Sequence, residues 1–408
     1  MNPAERNFSL QARLVFPGDR QPLENGVVEI ESGRIVELHQ IPRPTTVNLG
    51  NVAIIPGLIN AHTHLEFSGL TEPVPFTPPF TNWIRSVVEN RRQRSPSIAG
   101  SIQKGLREAA LQGATTLGEI ATMEPPTEVF TSEITPRTTV FRELIGFQPE
   151  QIEQQLQIAR NHLENAPDTL IRVTHGLSPH APYSVHPELF RHLVVLAKER
   201  NVPLAMHLAE TREELEFLEA GTGPFVEMLQ DFGIWQNEVI EPGTRILDYL
   251  KTLASLQCGL IIHGNYLDEE ELRFLAKNPQ LAVIYCPRTH AYFGHLPHPW
   301  LQLNALGGTV ALGTDSRASN PNLSLWEELV FLHERYPHLG DWQLLRFGTI
   351  HGAVALGCHL ETGSITPGKS ADLAVVSLNS ERGSASLFER KNAILRTMIA
   401  GNWIPPEE

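Results

Sequence analysis

Eight short apolar stretches, which alternate with stretches of helical apolar spacing, constrain the fold of this 408-residue chain more than any other feature. The stretches that predict strands are 58–64, 115–120, 139–146, 170–177, 203–208, 259–264, 281–286 and 309–313. Those that predict helices are 98–112, 149–164, 187–200, 224–230, 267–277 and 299–306. Such alternation is typical of an α/β protein with a (β/α)8 barrel. A doubly wound sheet would more often carry a glycine-rich turn after its first strand, where this chain has His62, Thr63 and His64.

Both ends of the chain have a different pattern. Short alternating runs separated by turn residues predict strands over 10–15, 26–31 and 34–38, and again over 372–378 and 394–399. We therefore predict a small β-sandwich built from residues 1–55 and 363–408, flanking a barrel domain of residues 56–362. Residues 67–97, rich in proline and aromatic residues, are predicted to form a long loop at the site.

Composition excludes several classes of protein. A hydrophobic content of 41% supports a sizeable core, and a net charge of −14 without a dense basic stripe disfavours nucleic-acid binding. No stretch is long and apolar enough to predict a membrane span or a signal peptide. The three cysteines are widely spaced, which fits a reducing compartment. The prediction is a cytoplasmic protein without nucleic-acid or membrane partners.

Potential metal ligands stand where four of the predicted strands end. Because the active site of such a barrel lies at the carboxyl ends of its strands, these side chains should converge. The first strand ends at His62 and His64, whose spacing places them on one face. The other three ends contribute His207 followed by Glu210, then His263, and then Asp315. One such histidine could be an ordinary core residue, but four coinciding strand ends predict a metal site.

The residue types suggest roles. A catalytic zinc commonly has three or four protein ligands and one water, which His62, His64, His207 and Asp315 would provide. The metal would lower the pKa of the water and create a hydroxide nucleophile. Glu210 is then the natural general acid and base, although it could instead be a carboxylate that favours a helix start. His263 could be a further ligand or could orient the hydroxide, and we favour the second role.

Seven motifs resemble the amidohydrolase superfamily, in order along almost the whole chain. They are PGLINAHTHLEFS, SPHAPYSV, HLAET, IIHGNYL, YCPRTH, LGTDSRAS and GSITPGKSADLAVV. They are most similar to the cytosine deaminase-like and chlorohydrolase-like aminohydrolases, and among these to the aminofutalosine deaminase group. The resemblance implies a barrel with a β-sandwich. It also implies a metal at His62, His64, His207 and Asp315, a proton shuttle at Glu210, and a water- or substrate-orienting role for His263.

The resemblance also bears on the number of metal ions and on substrate contacts. The fourth strand has no lysine that could be carboxylated to bridge two metals, so one ion per chain, Zn2+ or Fe2+, is expected. The histidine matching His180 contacts substrate in nucleoside-type relatives. Glu66 and Trp83 are weaker candidates, and Trp83 could equally be a packed lid residue. Arg288 is predicted to lie near the mouth, where it could contact an anion or a ring.

Residues 363–370 fit the phosphate-loop pattern G-x-x-x-x-G-K-S. That motif binds phosphate only between a strand and a helix N-terminus. Here a helical pattern precedes it and a strand pattern follows, so nucleotide binding is rejected.

These observations predict a metal-dependent hydrolytic deaminase that removes an exocyclic amino group from a purine-like base or nucleoside. The same site could displace chloride or an alkylamine from a triazine-like ring, or open a cyclic amide. A non-catalytic metal-binding scaffold is a third alternative. The expected partner is a small heterocyclic substrate. A homodimer is compatible with the resemblance, although no residue locates an interface.

Overall fold

Seven short strands from the N-terminal part build most of one domain. The structure, a computed structural model, describes residues 7–93, 97–164, 172–236, 239–379 and 386–406. The strands are β1 (Asn7–Gln11), β2 (Leu14–Val15), β3 (Leu23–Glu24), β4 (Val27–Glu31), β5 (Arg34–His39), β6 (Val47–Asn48) and β7 (Val52–Pro56). The hairpin of β4 and β5 turns at Ser32 and Gly33, both at positive φ, as the predicted turn signal requires.

Eight parallel strands form the barrel and run in chain order. They are β8 (Leu58–Thr63), β9 (Ala114–Ala121), β10 (Arg137–Leu144), β11 (Val173–Pro179), β12 (Leu204–Leu208), β13 (Gly259–His263), β14 (Leu281–Tyr285) and β15 (Thr309–Leu312). A bridge between Thr63 and Asp315 brings the first strand back to the last. A buried cluster that includes Ile59, Phe141 and Leu260 packs with the small residues Ala205 and Ala311, so the barrel is a packed core. The predicted (β/α)8 barrel is confirmed. The start of the predicted fourth strand, 170–171, lies outside the described residues.

Helices connect these strands. They are α1 (Phe80–Gln93), α2 (Ile98–Leu111), α3 (Ile152–Glu164), α4 (Pro187–Arg200), α5 (Arg212–Ala220), α6 (Pro224–Asp231), α7 (Ile246–Leu253), α8 (Glu269–Ala276), α9 (Pro287–Phe293), α10 (Trp300–Ala305), α11 (Leu325–Arg335), α12 (Asp341–Phe347) and α13 (Ile350–Ala355). Among the described residues, no helix is both long and apolar enough to cross a membrane.

The predicted loop over 67–97 is wrong in one respect, because it contains the 14-residue helix α1. Phe80, Trp83, Ile84 and Val87 recur at helical spacing and face the apolar cavity described below. The prolines at 73, 75, 78 and 79 precede this helix. They made the whole segment look irregular in sequence.

Three C-terminal strands complete the first domain: β16 (Leu373–Ser377), β17 (Ile394–Ile399) and β18 (Asn402–Trp403). β16 pairs antiparallel with β7, so the two chain ends share a six-stranded sheet, which packs on a four-stranded one. This confirms the β-sandwich from both termini. The division at 55/56 and 362/363 stays a prediction, and the chain passes from β7 to β8 at Gly57.

The segment 363–370 is a turn beside β5. The backbone N–H of Ile35 donates to the Lys369 carbonyl, and Gly368 donates back to Ile35. Lys369 Nζ donates to the Thr362 carbonyl, 3.1 Å away. The segment is preceded by α13 and followed by β16, so it has no helix N-terminus to receive a phosphate.

Gly118 allows a test of how closely β9 packs against β8 beside His62. A Cβ there would lie 2.4 Å from the backbone oxygen of Ala61, which cannot move without shifting β8. We expect Gly118→Ala to lower the free energy of unfolding by about 1–3 kcal/mol, measured by thermal or denaturant unfolding. Gly100→Ala on α2 is the control, because its Cβ meets nothing closer than 3.8 Å. Equal stability of the two variants would contradict this account.

Candidate active site

Four side chains from three separate parts of the barrel converge at its carboxyl end. His62 is on β8, His64 follows it, His207 is on β12, and Asp315 follows β15. The ring centroid of His62 lies 4.9 Å from that of His64 and 5.1 Å from that of His207. Asp315 Oδ1 lies 3.5 Å from His62 Nε2 and 3.6 Å from His64 Nε2. The structure thus brings together the four residues predicted as metal ligands.

The protonation and hydrogen bonding of these histidines fit a metal. Both ring nitrogens of His62 are buried and have no hydrogen-bond partner among the described residues, a costly arrangement unless something else binds them. Burial lowers the pKa of His62 and His64 well below 6.5 and that of His207 to about 4. The imidazoles are therefore neutral at pH 7, the form that ligates metals. Three imidazole nitrogens and a carboxylate suit Zn2+ or Fe2+.

Neighbouring groups fix the orientation of these ligands. Nδ1–H of His207 donates to the carbonyl of His180 at 3.1 Å, which leaves Nε2 for a metal. Ser319 Oγ donates to Asp315 Oδ2 at 2.6 Å. Asp315 has a positive φ of 57°, and its backbone N–H donates to the carbonyl of His62. The barrel closure thus turns the Asp315 carboxylate toward the histidines.

Glu210 and His263 lie beside this cluster and face each other. Glu210 Oε1 is 3.3 Å from His263 Nε2, and the His263 ring centroid is 5.4 Å from that of His207. Burial, reinforced by the charge of Asp315, raises the pKa of Glu210 well above 4.5. Such a carboxyl group can both accept and deliver a proton near neutral pH. His298 Nε2–H donates to the His263 carbonyl at 2.7 Å, which holds the strand end in place.

Glu214 is a functional candidate that the sequence reasoning missed. Its carboxylate accepts the backbone N–H groups of Ala209 and Glu210 at 2.9 and 2.8 Å. Ala209 has a positive φ of 54°, an unfavourable conformation for alanine. Glu214 thus stabilises the turn that presents Glu210, and burial raises its own pKa to about 7. Glu213 and Glu214 stand in the first turn of α5, where acidic residues are common for reasons of helix stability alone.

A cavity of about 270 Å³ opens above the cluster. His64, His207, Glu210, His263 and Asp315 line its polar part. Its apolar wall comes from α1 and from the region of α6, and consists of Phe80, Trp83, Ile84, Val87, Val88, Met228, Leu229, Phe232 and Ile234. A ligand held here would have a polar group at the metal ligands and an apolar group against α1 and α6.

Two of the predicted substrate contacts line this cavity. His180 donates from Nδ1 to Ser184 Oγ at 2.6 Å, and burial lowers its pKa to about 4. Its neutral Nε2 remains free to accept a hydrogen bond. Trp83 packs between Phe80 and Phe293, yet its indole N–H has no partner among the described residues. Trp83 is therefore a packed residue of α1 whose indole N–H could donate a hydrogen bond to a ligand in the cavity.

The other two predicted contacts do not line the cavity. Arg288 is bound to Glu328 at 2.7 Å and to Asn322 at 2.7 Å, so its guanidinium joins α9 to α11 and the loop before it. Glu66 accepts hydrogen bonds from Arg91 and Thr122. Arg288 was placed near the mouth from chain order, and Glu66 was a candidate from the family resemblance. Neither kind of evidence shows which way a side chain points.

Arg91 and Glu143 do line the cavity and were missed. Arg91 lies on α1, where the sequence reasoning placed a loop. Glu143 is buried near the carboxyl end of β10, and its Oε1 is 3.9 Å from His180 Nε2. The strand-end rule that found His207 and His263 would have found Glu143 if it had been applied to the third strand.

Comparison with known sequences agrees with this geometry. The sequence model of the amidohydrolase family matches residues 53–404. The chain belongs to the amidohydrolase family. The predicted family resemblance is thereby confirmed, and with it the expectation of a hydrolase.

Relatives within the amidohydrolase family are deaminases by name. A 5-methylthioadenosine/S-adenosylhomocysteine deaminase of Pyrococcus furiosus is 28% identical, over 90% of this chain and 85% of the relative. An aminodeoxyfutalosine deaminase of Deinococcus radiodurans is 30% identical, over 78% of this chain and 76% of the relative.

Solved structures of the family share the fold. Aminofutalosine deaminase from Helicobacter pylori, in complex with methylthio-coformycin, has a TM-score of 0.82 at 24% identity, covering 98% of this chain and all of that one. An adenosine deaminase from Xanthomonas campestris with bound zinc has a TM-score of 0.77 at 23% identity, covering 97% of this chain and 92% of that one. Both structures therefore show that this chain shares their fold.

The role of Glu214 can be tested by Glu214→Gln. The amide can accept only one of the two backbone N–H groups, so the turn bearing Glu210 should loosen. We expect kcat to fall about 10- to 100-fold, while KM and metal content stay unchanged. Glu219→Gln is the matched control, since it is exposed on the same helix. A variant whose kcat equals that of the control would show that Glu214 does not position Glu210.

The lowered pKa values of the histidines predict how metal affinity depends on pH. Because the folded ligands stay neutral well below 6.5, protons do not compete for them as the pH falls through that value. We expect the affinity of the cluster for Zn2+ to change little between about pH 6.5 and pH 5 and to fall below about pH 4. Competition with a chelator of known proton affinity measures this. A steep loss of affinity that begins at pH 6.5 would contradict it.

Proposed function

We propose that this protein hydrolytically removes the amino group from the purine ring of an adenosine-type nucleoside. The observation that carries the proposal is the convergence of His62, His64, His207 and Asp315 next to Glu210, beneath a partly apolar cavity. The Pyrococcus furiosus relative named above acts, by its name, on the adenosine derivatives 5-methylthioadenosine and S-adenosylhomocysteine, which supports this substrate class.

One metal ion, Zn2+ or Fe2+, is proposed to be held by His62, His64, His207 and Asp315. When bound, it would lower the pKa of a water molecule toward neutrality. His263 faces the same space and is proposed to orient the attacking oxygen by a hydrogen bond. A catalytic metal with an open position for water is consistent with this donor set.

Glu210 is proposed to carry protons between water and substrate. Its carboxylate accepts a proton from the attacking water and delivers it to the ring nitrogen next to the amino-bearing carbon. A second proton transfer to the amino group allows ammonia to leave, and the ring carbon keeps the oxygen. The raised pKa of Glu210 suits a group that must hold a proton and release it in one cycle.

The remaining cavity residues are proposed to orient the substrate. His180 would accept a hydrogen bond through Nε2, and Trp83 would donate one or pack against the substrate. The apolar side chains of α1 and α6 suit an apolar substituent, such as one at the 5′ position of the nucleoside. Glu66 and Arg288 are not proposed as contacts, since each is bound elsewhere. The cytoplasmic location and the homodimer remain predictions.

Replacing Glu210 by glutamine tests the reaction. Glu210→Gln preserves shape but cannot accept a proton, so we expect kcat/KM to fall by about 100- to 10,000-fold. Metal content should be unchanged, because Glu210 is not a ligand. Ammonia release from adenosine, 5′-deoxyadenosine and 5′-methylthioadenosine would be measured. Turnover near the wild-type rate would show that the assigned role is wrong.

The same assay separates the alternative functions. Release of chloride or an alkylamine from triazines, or opening of a cyclic amide, without ammonia from any purine nucleoside would favour another hydrolytic reaction at this site. One metal ion per chain without turnover of any ring compound would favour a non-catalytic scaffold.

A further inference from the structure

A second group of potential metal ligands lies outside the active-site cavity. Glu124 follows β9, His162 is on the barrel-covering helix α3, and His175 is on β11. One ligand atom from each lies within 4.8 Å of the others. None of the three lines the active-site cavity, so the proposed deamination does not use them.

The surroundings of His162 require a proton or a metal ion beside its Nδ1. Its side chain is fully buried, and its Nε2 lies 3.2 Å from the carbonyl oxygen of Val140. A carbonyl only accepts, so Nε2 carries the hydrogen. Nδ1 then faces a second acceptor, Glu124 Oε2, at 2.8 Å. Either a proton or a metal ion must lie between Nδ1 and this carboxylate.

His175 distinguishes the two possibilities. Its ring centroid is 4.7 Å from that of His162. The side chain of His175 makes no hydrogen bond with the described residues, although its backbone pairs with β10. A proton shared between His162 and Glu124 gives the second imidazole no role. A metal ion would gain a third ligand, and the pKa of His175, lowered to about 4 by burial and by His162, keeps its lone pair free at pH 7.

We propose that Glu124, His162 and His175 form a second divalent-metal site, separate from the catalytic cluster and selective for Zn2+ or a similar transition metal. Two imidazoles and one carboxylate suit such ions better than Mg2+ or Ca2+. The Val140 carbonyl fixes the ring of His162, as acceptors behind metal-bound histidines commonly do.

The geometry needs only a small adjustment. Ligand atoms around a tetrahedral zinc lie about 3.3 Å apart, close to the 2.8 Å between His162 and Glu124. The ligand atom of the half-buried His175 lies within 4.8 Å of the other two, so its ring would move closer to complete the set of three metal ligands. Glu124 has a side-chain exposure of 55%, so an ion can enter from solvent and keep a water ligand.

A metal here would tie the loop after β9 to α3 and β11. That loop also contains Thr122, which donates to Glu66 at 2.9 Å, and Glu66 in turn holds Arg91 of the cavity. We therefore assign the ion a structural role at the barrel rim rather than a catalytic one. Its binding should raise the temperature of unfolding.

The test compares Zn2+ content in three full-length proteins. Wild type, His175→Ala and the control His192→Ala, whose histidine is exposed on α4, are dialysed against the same chelator-buffered Zn2+. Metal is counted by mass spectrometry. We expect His175→Ala to bind one ion per chain fewer than wild type and His192→Ala to match wild type. Excess Zn2+ should raise the unfolding temperature of wild type but not that of His175→Ala. Glu124→Gln, a change at an exposed carboxylate, should reproduce the loss if His175→Ala folds poorly.

Equal Zn2+ content in wild type, His175→Ala and Glu124→Gln would overturn the proposal and leave only a hydrogen bond between His162 and Glu124. The comparison depends on the difference between variants. It therefore stands whether or not the catalytic cluster is filled and whether or not the protein deaminates nucleosides.

Discussion

The active site depends on the closure of the barrel between its first and last strands. The backbone N–H groups of Thr314 and Asp315 both donate to the carbonyl of His62, and the side chain of Asn60 bonds to Thr314. These bonds join residues about 250 positions apart in the chain. These bonds hold Asp315, the carboxylate among the four proposed ligands, beside the histidines of β8. Catalytic geometry and barrel closure are therefore one constraint.

Burial then gives the converged groups their chemistry. The same removal from water keeps the histidines neutral and the Glu210 carboxyl group ready to hold a proton. Burial disfavours the charged form of any group. It therefore lowers the pKa of a histidine, which is charged when protonated, and raises the pKa of a glutamate, which is charged when deprotonated. Backbone donors offset part of the free-energy cost of burying these groups. The Glu214 carboxylate, for example, accepts the backbone N–H groups of Ala209 and Glu210. A partly solvated cluster would bind protons and metal less selectively.

The barrel, the sandwich and the convergence of the four proposed metal ligands could be predicted because each depends on a local pattern. Strand periodicity places His62, His207 and Asp315 at strand ends, and the carboxyl ends of barrel strands meet at one face. Side-chain partners are set by long-range packing, so chain order placed Arg288 near the mouth although Glu328 binds it. Glu214 was missed for the same reason, because its role depends on hydrogen bonds to the strained turn at Ala209 and Glu210. Helix α1 was missed because the prolines before it obscured its apolar spacing.

The N-terminus of α5 contacts both α1 and the turn that carries Glu210. Glu213 Oε1 accepts the backbone N–H of Phe80, the first residue of α1, at 3.3 Å. The adjacent Glu214 holds the turn that carries Glu210. One helical turn thus contacts both the apolar wall of the cavity and the proposed proton shuttle. In the proposed reaction, the wall that binds a substrate substituent and the group that carries the proton therefore rest on the same turn of α5. Binding energy remote from the reacting carbon can be used in the chemical step only if such parts are held in a fixed relation to each other.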